Sequence, residues 1–294
     1  MGFDHTRRTL LTAAITAPLL TATAGQAQAT SANRALRELE AAYPGRIGVT
    51  AINTGTGRTI RYRAHERFAL CSTFKCLASA AILQLARTTD PTLMERVIHY
   101  THADLVKHSP VTELHVDTGM IVRALCAATM TTSDNTAGNL LLRLLGGPSG
   151  IGEFARTLGD RWTRLDRYET ELNTNLPGDP RDTSTPDAVA RDLRKLVLGD
   201  ALHPDDRAEL TGWLIDNKTG DERIRAGLPK DWTTGDKTGG GDYGALNDIA
   251  VAWPPGAAPL VIAVYTTRTD PTTPGQNRIV ADIARLVAAE LHPR

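Results

Sequence analysis

The 294-residue chain has only three cysteines, Cys71, Cys76 and Cys126. Three thiols are too few for a metal cluster, and an odd number leaves at least one unpaired, so disulfides are not the basis of the fold. Each is read as a small buried hydrophobe. Four of the eight histidines, His99, His102, His108 and His115, share one stretch, yet no H-x-H or H-E-x-x-H spacing occurs, which argues against zinc. No cofactor is expected. No apolar run approaches the roughly 20 residues of a membrane span. Neither charge is in excess: 33 basic residues face 33 acidic ones, which argues against nucleic acid or an anionic membrane as the main partner. Lysine is scarce, six of those 33 basic residues. Repeats and low-complexity segments are absent after residue 30.

The start of the chain differs from the rest. Arg7 and Arg8 precede an Ala/Thr-rich, mildly apolar run to about Ala24. This pattern is that of a Tat export leader, and Ala27-Gln28-Ala29 fits the small-x-small cleavage site. Residues 1–29 are assigned to the leader, and the mature protein is expected to begin near Thr30 as a secreted or periplasmic monomer. Loss of Asp4, Arg7 and Arg8 with the leader leaves 31 basic and 32 acidic residues.

Residues 31–43 carry a Ser/Asn cap and helical periodicity. Arg46 to Ile52 and Arg58 to Arg63 alternate around the turn Asn53-Thr54-Gly55-Thr56-Gly57, which predicts a hairpin. From about residue 70 to 215 the pattern is helical. Ala245 to Trp253 and Leu260 to Thr267 are apolar, β-branched runs split by Pro254-Pro255-Gly256, and Asn277 to Leu291 is an amphipathic helix. The expected architecture is α+β with two lobes, a helical block inserted into an antiparallel sheet flanked by terminal helices. Residues 30–294 then form one catalytic domain, with an α/β lobe at about 30–67 and 217–294 and a helical lobe at about 68–216. A cleft between lobes is the natural place for a site.

Ser72-Thr73-Phe74-Lys75 opens the apolar run Cys76 to Leu83. Positions i and i+3 share a helix face, so Ser72 and Lys75 meet at the first turn, where free N–H groups stabilise an oxyanion. A lysine drawn into an apolar helix has a tunable pKa. The pair supplies a nucleophile and a base, although S-x-x-K alone is a common cap pattern. Ser133-Asp134-Asn135 alone reads as a cap or turn, and Lys237-Thr238-Gly239 as a turn before a strand. Glu169-Thr170-Glu171-Leu172-Asn173 lies in a charged loop.

Together, and in this order, S-x-x-K, S-D-N, E-x-x-L-N and K-T-G resemble the class A serine β-lactamases over essentially the whole mature chain. The resemblance implies the two-lobed β-lactamase/DD-peptidase-like fold and a small-molecule β-lactam substrate. It assigns Ser72 to attack the lactam carbonyl, and the N–H groups of Ser72 and Gly240 to the oxyanion hole. Lys75, or Glu169 through a water, takes the serine proton. Ser133 passes a proton to the leaving nitrogen. Asn135 binds the substrate's side-chain carbonyl, and Lys237 and Thr238 its carboxylate. Glu169 with Asn173 activates the deacylating water. Arg167 and Asp182 bracket this loop and are expected to pair and close it.

Penicillin-binding peptidases share the first, second and fourth motifs, and acylated sensor modules stop at the acyl stage. Glu169 and Asn173 separate the hydrolase from both. Three departures from the family pattern matter. The segment after K-T-G, Tyr243-Gly244-Ala245-Leu246-Asn247, carries no arginine, so Arg223 is the candidate carboxylate partner, with Arg225 its neighbour and competitor. Gly240 stands where a hydroxyl is common. His108 occupies the cleft-rim position often held by an aromatic residue. Cys71 also has no cysteine partner beside Gly241, so the disulfide of the carbapenem-hydrolysing members is not expected.

Overall fold

The computed structural model describes residues 1–2 and 31–292. The expected leader and its cleavage site lie outside the described residues, apart from Met1 and Gly2. A helix, α1, covers residues 31–41. The hairpin follows as β1 (Gly45–Asn53) and β2 (Thr59–Tyr62), paired antiparallel with Val49 opposite Tyr62. Next come β3 (Phe68–Ala69), α2 (Phe74–Thr88), β4 (Val97–Ile98), β5 (Met120–Ile121), α3 (Val122–Thr131), α4 (Asn135–Leu144) and α5 (Ser149–Thr157). The chain continues with β6 (Thr183–Ser184), α6 (Pro186–Leu198), α7 (Pro204–Ile215) and the single turn α8 (Ile224–Gly227). It returns to the sheet with β7 (Thr233–Gly241), β8 (Ala245–Trp253) and β9 (Leu260–Arg268), and α9 (Asn277–Leu291) closes the described chain.

The five-stranded sheet has the order β2-β1-β9-β8-β7, antiparallel throughout. Both faces are covered, and the period of two in the strands divides the core accordingly. Ile249, Val251, Val261, Ala263 and Tyr265 point to the helical side. Ala250, Ala252, Leu260, Ile262 and Val264 point to α1, α8 and α9. This is the α+β, two-lobed arrangement expected. The K-T-G motif differs from expectation, because it lies within β7 rather than in a turn before a strand. Gly239-Gly240-Gly241 is long enough to complete nine residues of pairing with β8, so the ladder overrides the low strand propensity of glycine.

Helix α2 is buried on every side from Phe74 to Leu83. A helix apolar all round belongs in the middle of a core. Each fully buried Leu, Ile or Phe there contributes roughly 1.5–3 kcal/mol by leaving water. That rigid axle carries the S-x-x-K segment at its N-terminal end.

Candidate active site

Cys71–Thr73 forms a 3-10 turn that runs into α2. In such a turn residues i and i+3 eclipse, so Lys75 lies beneath Ser72. The Lys75 Nζ donates to Ser72 Oγ at 3.1 Å, and Ser72 caps no helix with its side chain. Cys71 holds φ of 45° and Ser133 φ of 60°, left-handed conformations uncommon for residues with side chains. Two elements of the site therefore turn sharply to face one another.

Lys75 is fully buried and spends its protons on Ser72 Oγ, the Ser133 carbonyl at 2.8 Å and Asn135 Oδ1 at 2.5 Å, with Ser133 Oγ at 3.3 Å. The Glu169 carboxylate lies 3.1 Å from Lys75 Nζ and 3.2 Å from Ser72 Oγ through the same oxygen, Oε1. The carboxylate thus reaches the Ser72 hydroxyl directly. Burial pulls the Lys75 pKa below its ordinary value, with Glu169 opposing that shift. Asn173 Nδ2 donates to Glu169 Oε2 at 2.5 Å, while Asn173 Oδ1 is buried without a hydrogen-bond partner among the described residues.

On the opposite wall, Lys237 Nζ donates to Ser133 Oγ at 3.2 Å and to the Thr238 carbonyl at 2.9 Å. Ser133 Oγ thus bridges the two lysines. Burial first, and repulsion from Lys75 second, bring the Lys237 pKa down to about 7. Gly239 and Gly241 let β7 press against the Cys71–Thr73 turn. A Cβ at 239 would sit 3.1 Å from Cys71 Cβ, and one at 241 would sit 2.6 Å from the Asn173 carbonyl oxygen. Gly240 faces the cleft beside Ser72.

The loop that carries Glu169 is closed as a unit. Arg167 Nε donates to Asp182 Oδ2 at 2.6 Å, and Asp182 Oδ1 accepts the N–H groups of Asp166 at 2.7 Å and Arg167 at 3.0 Å. The backbone of Glu169 itself is clamped by Asn139, whose amide exchanges two hydrogen bonds with it at 2.8 and 2.9 Å.

Ser72, His108, Ser133, Asn135, Asn173, Arg223, Thr238 and Gly240 line one cleft of about 700 Å³, with Lys75, Glu169 and Lys237 beneath it. Some members are less free than the sequence implied. Asn135 Nδ2 donates to the Lys107 carbonyl at 2.8 Å. The Thr238 hydroxyl is paired with that of Thr219. His108 Nε2 sits 3.0 Å from the Thr132 carbonyl. Arg223 donates to the Gly239 and Asn247 carbonyls at 2.6 and 2.7 Å, so it braces β7 as well as facing the cleft. Arg225 is turned away and pairs with buried Asp236. All three thiols are buried and free.

The chain from 31 to 291 matches the model of the beta-lactamase enzyme family. A beta-lactamase of Streptomyces fradiae is 54% identical over 86% of this chain and 84% of its own length. Beta-lactamase AST-1 of Nocardia asteroides is 50% identical over 97% of this chain and 96% of its own. The chain belongs to the class A β-lactamases. Among solved structures, the beta-lactamase of Streptosporangium roseum superimposes with a TM-score of 0.88 at 52% identity, covering 89% of this chain and 98% of that one. An ancestral class A beta-lactamase gives 0.84 at 53% identity, covering 87% of this chain and 98% of that one. This β-lactamase is accordingly a serine hydrolase.

Three contributors to the site, Asp134, Asn139 and Thr219, had no site role assigned from the sequence. Asp134 caps α4 through Ala137 N–H at 2.8 Å and holds the N–H groups of Val111 and Thr112 at 3.0 and 2.9 Å, which sets the S-D-N turn. Its signal was the cap position itself. Asn139 stands four residues after Asn135, a helix-face spacing that was legible. Thr219 carries no local signal, because only the packing against β7 brings it to Thr238.

Proposed function

We propose that the chain hydrolyses the β-lactam ring of penicillin- and cephalosporin-type antibiotics through a Ser72 acyl-enzyme, and so confers resistance to them. Ser72 Oγ attacks the lactam carbonyl carbon, and its proton passes to Lys75 or Glu169, each within 3.2 Å. The oxyanion forms against the N–H groups of Ser72 and Gly240, each typically worth ~10²–10³ in rate. The C–N bond breaks as Ser133, fed by the lysines on either side, protonates the nitrogen. Lys237, Thr238 and Arg223 hold the substrate carboxylate. Asn135 takes the side-chain carbonyl with its remaining N–H, and His108 forms the rim.

Water then cleaves the ester. Glu169 removes one of its protons as the oxygen adds to the acyl carbon, the unpaired Asn173 Oδ1 accepts a hydrogen bond from the O–H that remains, and the C–O bond to Ser72 breaks as Ser72 Oγ takes a proton back. The observation that carries this reading is Glu169 itself: one oxygen lies on Ser72 and Lys75, and the other on Asn173. The Arg167–Asp182 pair keeps that carboxylate in place. The enzyme needs no cofactor in this scheme. It acts as a monomer exported by the leader at residues 1–29, with residues 30–294 as its catalytic domain. No helix among the described residues is long and apolar enough to cross a membrane.

A chromogenic cephalosporin and a penicillin, followed in single-turnover and steady-state modes, test the scheme. Wild type should turn over repeatedly, and Glu169→Ala should accumulate an acyl-enzyme visible by mass. A single burst in the wild type would eliminate hydrolysis in favour of a peptidase or sensor.

A further inference from the structure

Away from the cleft, Arg67, Arg156, Arg161 and Arg164 converge on a surface groove of about 440 Å³ along α5 and the segment that leads into the Glu169 loop. Trp162, 48% exposed, stands at its edge. Two of the guanidinium groups are held in place. Arg67 Nη1 donates to the Trp162 carbonyl and to Thr183 Oγ1, both at 2.9 Å, and its charge lies 5.6 Å from the Trp162 ring centre. Arg156 donates to the Asp160 carbonyl and, at 2.9 Å, to that of Thr163. Carbonyls and one hydroxyl orient these two groups without neutralising them.

The carboxylates in the groove are Glu153 and Asp166. Asp166 is engaged by Arg164 at 2.9 Å through Nε. Arg161 is exposed and has no hydrogen bond or ion pair with any described residue. Positive charge is therefore in local excess in a chain of zero net charge. Burial, and repulsion from Arg164 and Arg156, lower the Arg67 pKa against the pull of the Asp160 and Asp166 carboxylates, so a negative group placed here relieves a cost already present.

We infer that this groove binds a multivalent oxyanion, an extended ligand with two or more phosphate groups. Guanidinium forks match phosphate oxygens in pairs, and pre-ordered donors reduce what binding must immobilise. A single phosphate has to compete with Glu153 and Asp166 for the same cations, whereas a chain of phosphates spans several of them. The site is separate from the cleft and uses no residue of the hydrolytic machinery.

Inorganic tripolyphosphate is the probe, titrated calorimetrically into the full-length protein at low ionic strength, where surface charge is least screened. Saturable one-to-one binding is expected, with orthophosphate weaker by about tenfold or more, as is usual when charge-assisted contacts are lost. Arg161→Glu should weaken tripolyphosphate by at least the same factor while leaving cephalosporin turnover unchanged. An oligo(glycerol phosphate) of similar charge separates a phosphodiester polymer from free polyphosphate as the natural ligand, and binding of either at this groove supports the inference. The cleft also holds Lys237 and Arg223, so inhibition is measured in parallel. Competitive inhibition by tripolyphosphate that persists in Arg161→Glu would put the anion in the cleft and overturn the inference. Equal affinity in wild type and Arg161→Glu, or no saturable binding, would overturn it as well.

Discussion

At the scale of single residues, Lys237 shows how burial turns a common side chain into a pH-sensitive one. Its pKa of about 7 means that the free enzyme loses this charge as pH rises through neutrality. Below that point Lys237 adds its charge to that of Arg223 in attracting a substrate carboxylate, and above it Arg223 acts alone. The expected outcome is a fall in kcat/KM on the alkaline side of about pH 7, with kcat less affected because bound carboxylate restores the proton. Lys237→Arg keeps its charge at all accessible pH and should flatten this limb. An identical limb in the variant would assign it to another group. Gly240 gives a second test. A Cβ there meets nothing closer than 3.8 Å, so Gly240→Ser fits without strain. The added hydroxyl should lower KM for carboxylate-bearing lactams by roughly three- to tenfold, the usual range for one net hydrogen bond. Steady-state kinetics on one penicillin and one cephalosporin check it.

At the scale of elements, the Glu169 loop depends on one pair. Asp182 is fully buried, and both of its oxygens are committed, to Arg167 and to two backbone N–H groups. Breaking a buried pair costs about 3–5 kcal/mol, less here because the Arg167 side chain keeps 17% exposure. For Asp182→Asn we expect about 1–3 kcal/mol of destabilisation, below that range because solvent screens Arg167 and the amide oxygen still accepts a hydrogen bond. Deacylation should slow more than acylation, since Glu169 rides on this loop and Ser72 does not. Pre-steady-state acylation and deacylation rates, with a melting curve, separate the two. Unchanged turnover and unchanged Tm would sink the idea.

At the scale of the whole molecule, a buried acid far from the cleft contributes to the pH dependence of stability. Asp192 on α6 is enclosed by the fold, and burial, together with the neighbouring Asp160, pushes its pKa up to about 9, against the pull of Lys195 and Arg156. The unfolded chain releases this proton near pH 4, the folded chain only near pH 9. Between those values the folded state holds a proton that the unfolded state does not, so this group's contribution to stability falls as pH rises. Asp192→Asn removes the linkage. The variant should melt above wild type at pH 8 and near it at pH 4, by calorimetry across the range. A constant difference between the two proteins at every pH would refute the assignment.

Much of this was legible in the residues themselves. The order of four short motifs was a property of the string, and so were the hairpin, β8 and α9, because turn chemistry and hydrophobic period are local. The apolar run after Lys75 announced a buried helix for the same reason. Contacts made across the fold were not legible. Thr219 reaches Thr238, Arg223 rather than Arg225 faces the cleft, and K-T-G lies within an edge strand only because α7, α8 and β8 pack where they do. The pKa values of Lys237 and Asp192 belong to this second class. They come from desolvation and from charges distant in sequence, and neither exists until the chain has closed around them. The sequence alone determined which chemical groups this protein brings to a lactam, and the tertiary structure decided their protonation, reach and partners, because those follow from burial and distance.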